Sequence, residues 1–184
     1  MSDDATKAIQ GGLGEAWTVL KPHLVPFAIA TLLGALIGGF SFYICLGPMI
    51  AGWYYMCFKA KRGEKVEIGD LFKGFERFVD YLVLGLFTVI VPFGFLITWW
   101  AFPYCVDKKA DFMTSLKFGL NFFLKHLVPT IIAFVIFVVL YIVGLITCGL
   151  GLLVVIPLFH MYLTLYYLAH EAEIDPNAKP EVKT

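Results

Sequence analysis

The sequence predicts an all-α, polytopic membrane protein built from helical hairpins. The first observation is composition: 60% of the 184 residues are hydrophobic and only 15% are charged, whereas soluble domains are about half apolar and about a quarter charged. The second is the distribution of charge. Four charged blocks separate three runs that contain no Asp, Glu, Lys or Arg, namely Pro22–Phe58, Tyr81–Val106 and His126–His170. Apolar runs of this length are typical of membrane-spanning segments.

These runs divide the chain into three parts. Residues 1–21 form an amphipathic N-terminal segment, residues 22–170 form the membrane domain, and the polar residues 171–184 are predicted to be a disordered tail. The acidic start of the chain is unlike a signal peptide, so all apolar runs are expected to remain in the mature protein. The formal net charge of +0 gives no bulk attraction to nucleic acid.

The first run, 22–58, is long enough for nearly two crossings of a ~30 Å bilayer core. Gly47 and Pro48 mark its turn, because proline suits the first turn of a new helix. Gly34 and Gly38 form a G-x-x-x-G pattern, which permits close helix packing in a membrane. Chance spacing in a glycine-rich chain is the alternative explanation.

The middle run, 81–106, has two interpretations. Pro92 and Gly94 interrupt it, so it forms either a short re-entrant hairpin or one tilted span with a kink. The hairpin keeps both flanking lysine-rich segments on the cytoplasmic side and agrees with the positive-inside rule, so we prefer it. On the same rule, both termini and all basic segments face the cytoplasm, with the protein in the inner (cytoplasmic) membrane.

The third run, 126–170, is long enough for a full hairpin whose turn contains Gly149 and Gly151. It repeats features of the first run, including a Leu-Val-Pro sequence and a cysteine nineteen residues after that proline. The cysteines are Cys45 and Cys148, which both lie at a predicted hairpin tip. In an oxidising outer compartment they are predicted to form a disulfide.

Two charged blocks contain predicted amphipathic helices, at 67–79 and 111–125. Phe72, Phe75 and Phe78 share the apolar face of the first helix, which favours a position in the membrane interface. Asp70 and Asp111 are the residue type that caps helix N-termini.

Three motifs resemble a known family. They are Gly47-Pro48, Lys61-Arg62-Gly63-Glu64-Lys65-Val66 and Asp70-Leu71-Phe72-Lys73-Gly74-Phe75. They look like an uncharacterised prokaryotic integral-membrane family that is similar to the membrane domain fused to some glycerophosphodiester phosphodiesterases. The resemblance covers about residues 15–170 and implies a membrane domain of helical hairpins. The family pattern has a longer middle hairpin with a P-G turn, and it implies no activity for this chain.

No catalytic set, cofactor motif or metal motif is visible, so the chain is not predicted to be an enzyme. His160 is the one intramembrane side chain that changes charge near neutral pH, which makes it a candidate polar site. The alternative is a neutral histidine bonded to a neighbouring helix. The preferred hypothesis is a structural, membrane-shaping protein or an accessory subunit, with the bilayer and a homo-oligomer or larger membrane complex as partners. The second hypothesis is a small-solute or ion transporter or channel component.

Overall fold

The computed structural model describes residues 2–40, 44–147 and 149–175, and the side chains of residues 11–37, 44–147 and 149–175. This part of the chain contains helices and no strands, so the prediction of an all-α fold is confirmed. The α-helices are α1 Ser2–Leu20, α2 Leu24–Phe40, α3 Leu46–Lys61, α4 Phe78–Ile90, α5 Gly94–Lys108, α6 Phe112–Lys125, α7 Leu127–Ile146 and α8 Leu152–His170. Short 3-10 helices cover Lys21–His23, Ile68–Phe75 and Glu171–Glu173.

Three helical stretches of the described chain are long and apolar enough to cross a membrane. They are Gly11–Ile37, Leu127–Ile146 and Leu152–Glu173. Along α7 the large apolar side chains point outward, and Val135, Val139 and Ile146 are 54%, 56% and 75% exposed. A surface this apolar is unfavourable in water and favourable in lipid. The prediction of a membrane protein with transmembrane helices is therefore confirmed.

The charged segments meet at one end of the bundle, which we call the charged end. Lys61 at the end of α3 pairs with Glu15 of α1 at 3.0 Å. Lys108 at the end of α5 pairs with Glu171 after α8, also at 3.0 Å. Lys125 at the end of α6 lies 3.1 Å from Glu173. The last residues of α2, α4 and α7 and the first residues of α3, α5 and α8 form the opposite end, which we call the turn end.

The middle run turns back on itself. Arg77, which precedes α4, donates a hydrogen bond to the Ala110 carbonyl after α5, and Asp80 accepts one from the Phe112 amide at 3.1 Å. The Thr88 and Thr98 hydroxyls meet at 2.9 Å across the two helices. The start of α4 therefore lies beside the end of α5, and the alternative of a single kinked span is wrong. The 13 and 15 residues of these helices give legs of about 20 and 22 Å.

Helix α3 forms the centre of the bundle, because eleven of its residues are buried. Its glycine face packs against backbone rather than side chains. A Cβ on Gly52 would lie 1.9 Å from the Leu71 carbonyl oxygen, and one on Gly74 would lie 1.8 Å from the Pro48 carbonyl oxygen. The G-P and D-L-F-x-G-F motifs are therefore two sides of one close contact between α3 and the segment Ile68–Phe75.

This contact changes the predicted helix over 67–79. Instead of one α-helix, the chain forms the 3-10 helix Ile68–Phe75 and then begins α4 at Phe78. The tighter 3-10 turn lets Gly74 approach α3. Asp70 lies inside this segment and accepts a hydrogen bond from the Glu67 amide at 2.8 Å, so the prediction that it is the N-cap residue is wrong. In contrast, Asp111 accepts hydrogen bonds from the Met113 and Thr114 amides at the start of α6.

The predicted turn residues differ in their roles. Gly47 and Pro48 lie in the first turn of α3, the position that the sequence predicts for the proline, and the helix begins at Leu46, one residue before Gly47. Gly47 serves helix packing, since a Cβ there would lie 1.8 Å from the Tyr81 carbonyl oxygen. Pro92 does lie in the turn between α4 and α5, where Phe93 adopts a left-handed backbone with φ of 61° and Gly94 begins α5.

The turn between α7 and α8 depends on two glycines in different ways. Gly149 has a φ of 79°, a conformation that favours glycine. Gly151 has ordinary helical dihedrals and lies against Gly144, so its small size matters more than its backbone freedom. Cys148 lies outside the described residues, and the predicted Cys45–Cys148 disulfide stays a prediction.

Both described ends of the chain are helical. Helix α1 is followed directly by the 3-10 helix Lys21–His23 and then by α2. At the other end, the 3-10 helix Glu171–Glu173 follows α8, and Glu171 and Glu173 form ion pairs with Lys108 and Lys125. Residues 176–184 lie outside the described residues.

Candidate functional site

The predicted helix-packing glycines lie on α2. Gly34 faces the indole ring of Trp53 on α3, and an added Cβ would lie 2.9 Å from that ring. Gly38 belongs to the same helix, but its surroundings lie outside the described side chains. Gly34 therefore joins two helices of one chain in this structure.

His160 lies in the middle of α8, packed between aromatic rings. Its ring centroid is 5.1 Å from that of Trp53 and 5.2 Å from that of Tyr54. Its Nδ1 lies 2.9 Å from the Ile156 carbonyl oxygen, which can only accept a hydrogen bond, so Nδ1 carries the proton. The bonded partner of His160 thus belongs to its own helix rather than to a neighbouring one. The indole N–H of Trp53 beside it is buried without a hydrogen-bond partner.

Three threonines in the apolar runs donate to a carbonyl one turn earlier. Thr31 donates to the Phe27 carbonyl, Thr130 to that of His126 and Thr164 to that of His160, each over 2.8 to 2.9 Å. Such bonds direct these hydroxyl protons to the preceding turn of backbone. Two other contacts join helices: the Thr88 and Thr98 hydroxyls meet between α4 and α5, and the Trp100 indole donates to Thr130 at 3.2 Å.

The three predicted interfacial phenylalanines form a column at the charged end. Adjacent rings stack with centroids 6.2 Å apart for Phe72 and Phe75 and 6.1 Å apart for Phe75 and Phe78. Phe72 is 45% exposed, and neighbouring Val79 is 70% exposed. Lys73 lies between them and pairs with Glu76 at 2.9 Å. An exposed aromatic face beside charged groups is typical of contact with the membrane interface.

Residues 171–175, which we call the C-terminal strap, bind the ends of α5 and α6. Besides the pairs with Lys108 and Lys125, the strap places Asp175 3.1 Å from the Tyr104 hydroxyl. Asp107 accepts from Tyr167 at 3.0 Å and pairs with Lys108 at 2.6 Å. Burial alone would lower the pKa of Lys108, but its hydrogen bonds to Asp107 and Glu171 outweigh this and raise it.

His126 lies beneath the strap, and its Nε2 is buried without a hydrogen-bond partner. The Glu173 carboxylate is 3.7 Å from Nε2, too far for a good hydrogen bond. Nδ1 lies 3.2 Å from the Tyr166 hydroxyl, and the His170 ring centroid is 5.1 Å away. Burial, followed by the neighbouring His170, lowers the pKa of His126.

A cavity of about 260 Å³ opens between α1 and α8 near the charged end. Its lining combines one carboxylate, three polar-tipped rings and a small apolar floor: Gly12, Glu15, Tyr162, Leu165, Tyr166, Ala169 and His170. The sequence contains a signal for this cavity that the predictions above did not include. Tyr162, Tyr166 and His170 follow one another at intervals of four, which places them on one face of a helix.

A second cavity, of about 180 Å³, lies between the ends of α3 and α5 and has a basic rim that includes Lys59 and Lys109. Lys59 is paired with Asp70 at 2.8 Å, and Asp107 in the same lining is paired with Lys108. These pairs neutralise much of the local charge. Among the described residues, no three His, Cys, Asp or Glu side chains are grouped as metal ligands.

Comparison with known proteins gives no relative: no family model, no curated protein and no solved structure matches this chain.

Proposed function

We propose that this protein is a non-catalytic structural protein of the membrane that shapes the bilayer. The observation that carries the proposal is the unequal distribution of material between the two ends of the bundle. Both ends of α6 lie at the charged end, its start bonded to Asp80 and its end beside Glu173, and the 3-10 helix Ile68–Phe75 is held there by the pair of Asp70 with Lys59. At the turn end, short connections join α4 to α5 and α7 to α8.

This asymmetry supports a wedge. The exposed apolar side chains of Phe72, Met113 and Leu124 lie on the added elements at the charged end. Side chains of this kind enter the boundary between headgroups and acyl chains. The α4–α5 hairpin, with legs of about 20 and 22 Å, is too short for a ~30 Å core. The leaflet at the charged end therefore contains more protein volume than the leaflet at the turn end. The bilayer then curves away from the charged end, toward the side with less protein.

On this proposal the charged end faces the cytoplasm, because the lysine-rich segments 59–65 and 108–125 lie there. The inner membrane is the proposed location, and a second copy or a larger membrane assembly is the proposed partner. The hydroxyls of Thr31, Thr130 and Thr164, which donate to the preceding turn of backbone, support this function over transport.

The test is the shape of liposomes that contain the purified protein. We expect cryo-electron microscopy to show smaller or tubulated vesicles at high protein density, compared with protein-free liposomes. Replacing Phe72, Phe75 and Phe78 together by serine should reduce the effect. The matched triple leucine variant should retain it, because leucine keeps the apolar volume in the interface.

Two results would contradict the proposal. If vesicles with the wild-type protein keep the shape of protein-free vesicles, the proposed membrane-shaping function is wrong. Proton or solute flux through the same liposomes, abolished by His160→Ala, would replace it by the transporter hypothesis.

A further inference from the structure

The cavity between α1 and α8 presents hydrogen-bond acceptors. The Glu15 carboxylate is the one formal charge in its lining. His170 Nδ1 lies 2.9 Å from the Tyr166 carbonyl oxygen and donates to it, and in that tautomer Nε2 is an acceptor. A ligand that matches these acceptors carries several hydrogen-bond donors.

Aromatic faces add to this preference. Tyr162 is only 2% exposed, so the partly exposed Tyr166 ring, with the His170 ring stacked on it at 4.3 Å, is the main aromatic surface of the cavity. An aromatic ring attracts a cation within about 6 Å of its centroid. A carboxylate next to such a ring is therefore suited to an ammonium group.

We propose that this cavity binds the protonated amine of a membrane-lipid headgroup of the ethanolamine type. The cavity lies at the charged end, because Glu15 is paired there with Lys61, and this end is at headgroup depth in the proposed orientation. A volume of about 260 Å³ is below the usual 300–1,000 Å³ of drug-sized pockets, so it accommodates a headgroup and not a whole lipid. The inference rests on the membrane location and is independent of membrane shaping.

Lys61 is an internal competitor for the site. Its Nζ lies 3.0 Å from Glu15 Oε1, and the two side chains are 36% and 56% exposed. An ion pair this exposed is weak, so a ligand ammonium can replace it. Removing Lys61 should strengthen binding, while removing the Glu15 charge should weaken it. Two changes at one surface ion pair thus have opposite predicted effects.

The experiment is native mass spectrometry of the delipidated, detergent-solubilised full chain with added phosphatidylethanolamine or phosphatidylglycerol of identical acyl chains. We expect phosphatidylethanolamine to bind more tightly. Glu15→Gln should weaken its binding about tenfold, the loss typical of one charge-assisted hydrogen bond. Lys61→Gln should strengthen it by up to about fivefold. Glu64→Gln, an exposed carboxylate outside the cavity, is the matched control and should change nothing.

Equal binding of the two lipids, or unchanged binding by Glu15→Gln, would overturn the site. Free ethanolamine is the probe that tells whether the bound amine belongs to a lipid headgroup or to a soluble molecule. If it binds as tightly as the lipid, the lipid assignment is overturned in favour of a soluble amine. Because liposome shape is measured separately, failure here and failure of membrane shaping are distinguishable.

Discussion

At the residue scale, Gly52 and Gly74 act through the absence of a side chain. Each brings two backbones together at a distance that a Cβ would occupy, on the contact between α3 and the segment Ile68–Phe75. Backbone cannot rotate away as a long side chain can, so substitution there forces the elements apart. This gives a physical reason for the glycine in the D-L-F-x-G-F motif, Gly74, whose added Cβ would meet the Pro48 carbonyl oxygen of the G-P motif.

We therefore predict that Gly52→Ala lowers the free energy of unfolding by about 1–3 kcal/mol, the usual cost of overpacking a core. The measurement is thermal unfolding in detergent, followed by tryptophan fluorescence. Gly69→Ala is the control, because Gly69 lies in the same 3-10 helix with open space around its Cα. Equal destabilisation by both variants would contradict the packing role.

A second prediction at this scale concerns pH and His126. Its lowered pKa means that the folded state favours the neutral ring. The folded state then binds fewer protons than the unfolded chain, so this stabilisation is full above the unfolded value of 6.5 and is lost as the pH falls below it. Tyr166, His170, Glu173 and Lys125 are the groups that surround the ring.

We expect the thermal midpoint of the wild type to fall between pH 7.5 and 5.5, and to fall less in His126→Gln. His23→Gln is the control histidine and should keep the wild-type pH dependence. A profile in His126→Gln as steep as that of the wild type would place the titrating group elsewhere.

At the scale of elements, the α4–α5 hairpin sets the topology. The bonds from Arg77 to Ala110 and from Asp80 to Phe112 join its two open ends, which no single crossing allows. As a result, the segments on either side of the hairpin lie at the charged end together. The bundle then has three hairpins with the same orientation.

This arrangement predicts the sidedness of single cysteines in a cysteine-free background. Cysteines at Glu64 and Lys109, both exposed, should react with an impermeant thiol reagent from the same side of the membrane. Phe93, 73% exposed at the turn end, should not react from that side. Labelling of 64 and 109 from opposite sides would show that 81–106 crosses once.

At the scale of the whole molecule, burial is distributed unevenly among the helices. Helix α3 is enclosed, with Met49, Met56 and Cys57 at most 1% exposed. Helix α7 lies on the outside, and only 17% of its apolar stretch is buried. The same apolar character thus serves two purposes, the protein core in α3 and the lipid contact in α7.

A lipid-soluble diazirine reagent in reconstituted vesicles should therefore modify α7 heavily and α3 very little. Peptide mass spectrometry measures the difference. The exposed charged segment around Glu64 serves as the unlabelled reference. Strong modification of α3 would mean that the hairpins separate in the bilayer.

The sequence by itself determined the class of protein, the three apolar runs and the N-cap at Asp111, because hydropathy, charge spacing and capping are local properties. It did not determine that 81–106 returns, since both alternatives have the same local pattern. The 3-10 form of Ile68–Phe75 and the roles of Gly47 and Gly74 depend on backbone contacts with distant helices. The C-terminal strap and the cavity beside Glu15 likewise need α1, α5, α6 and α8 to end together. Only the tertiary structure decides such features, because they arise from pairs of residues far apart in the chain.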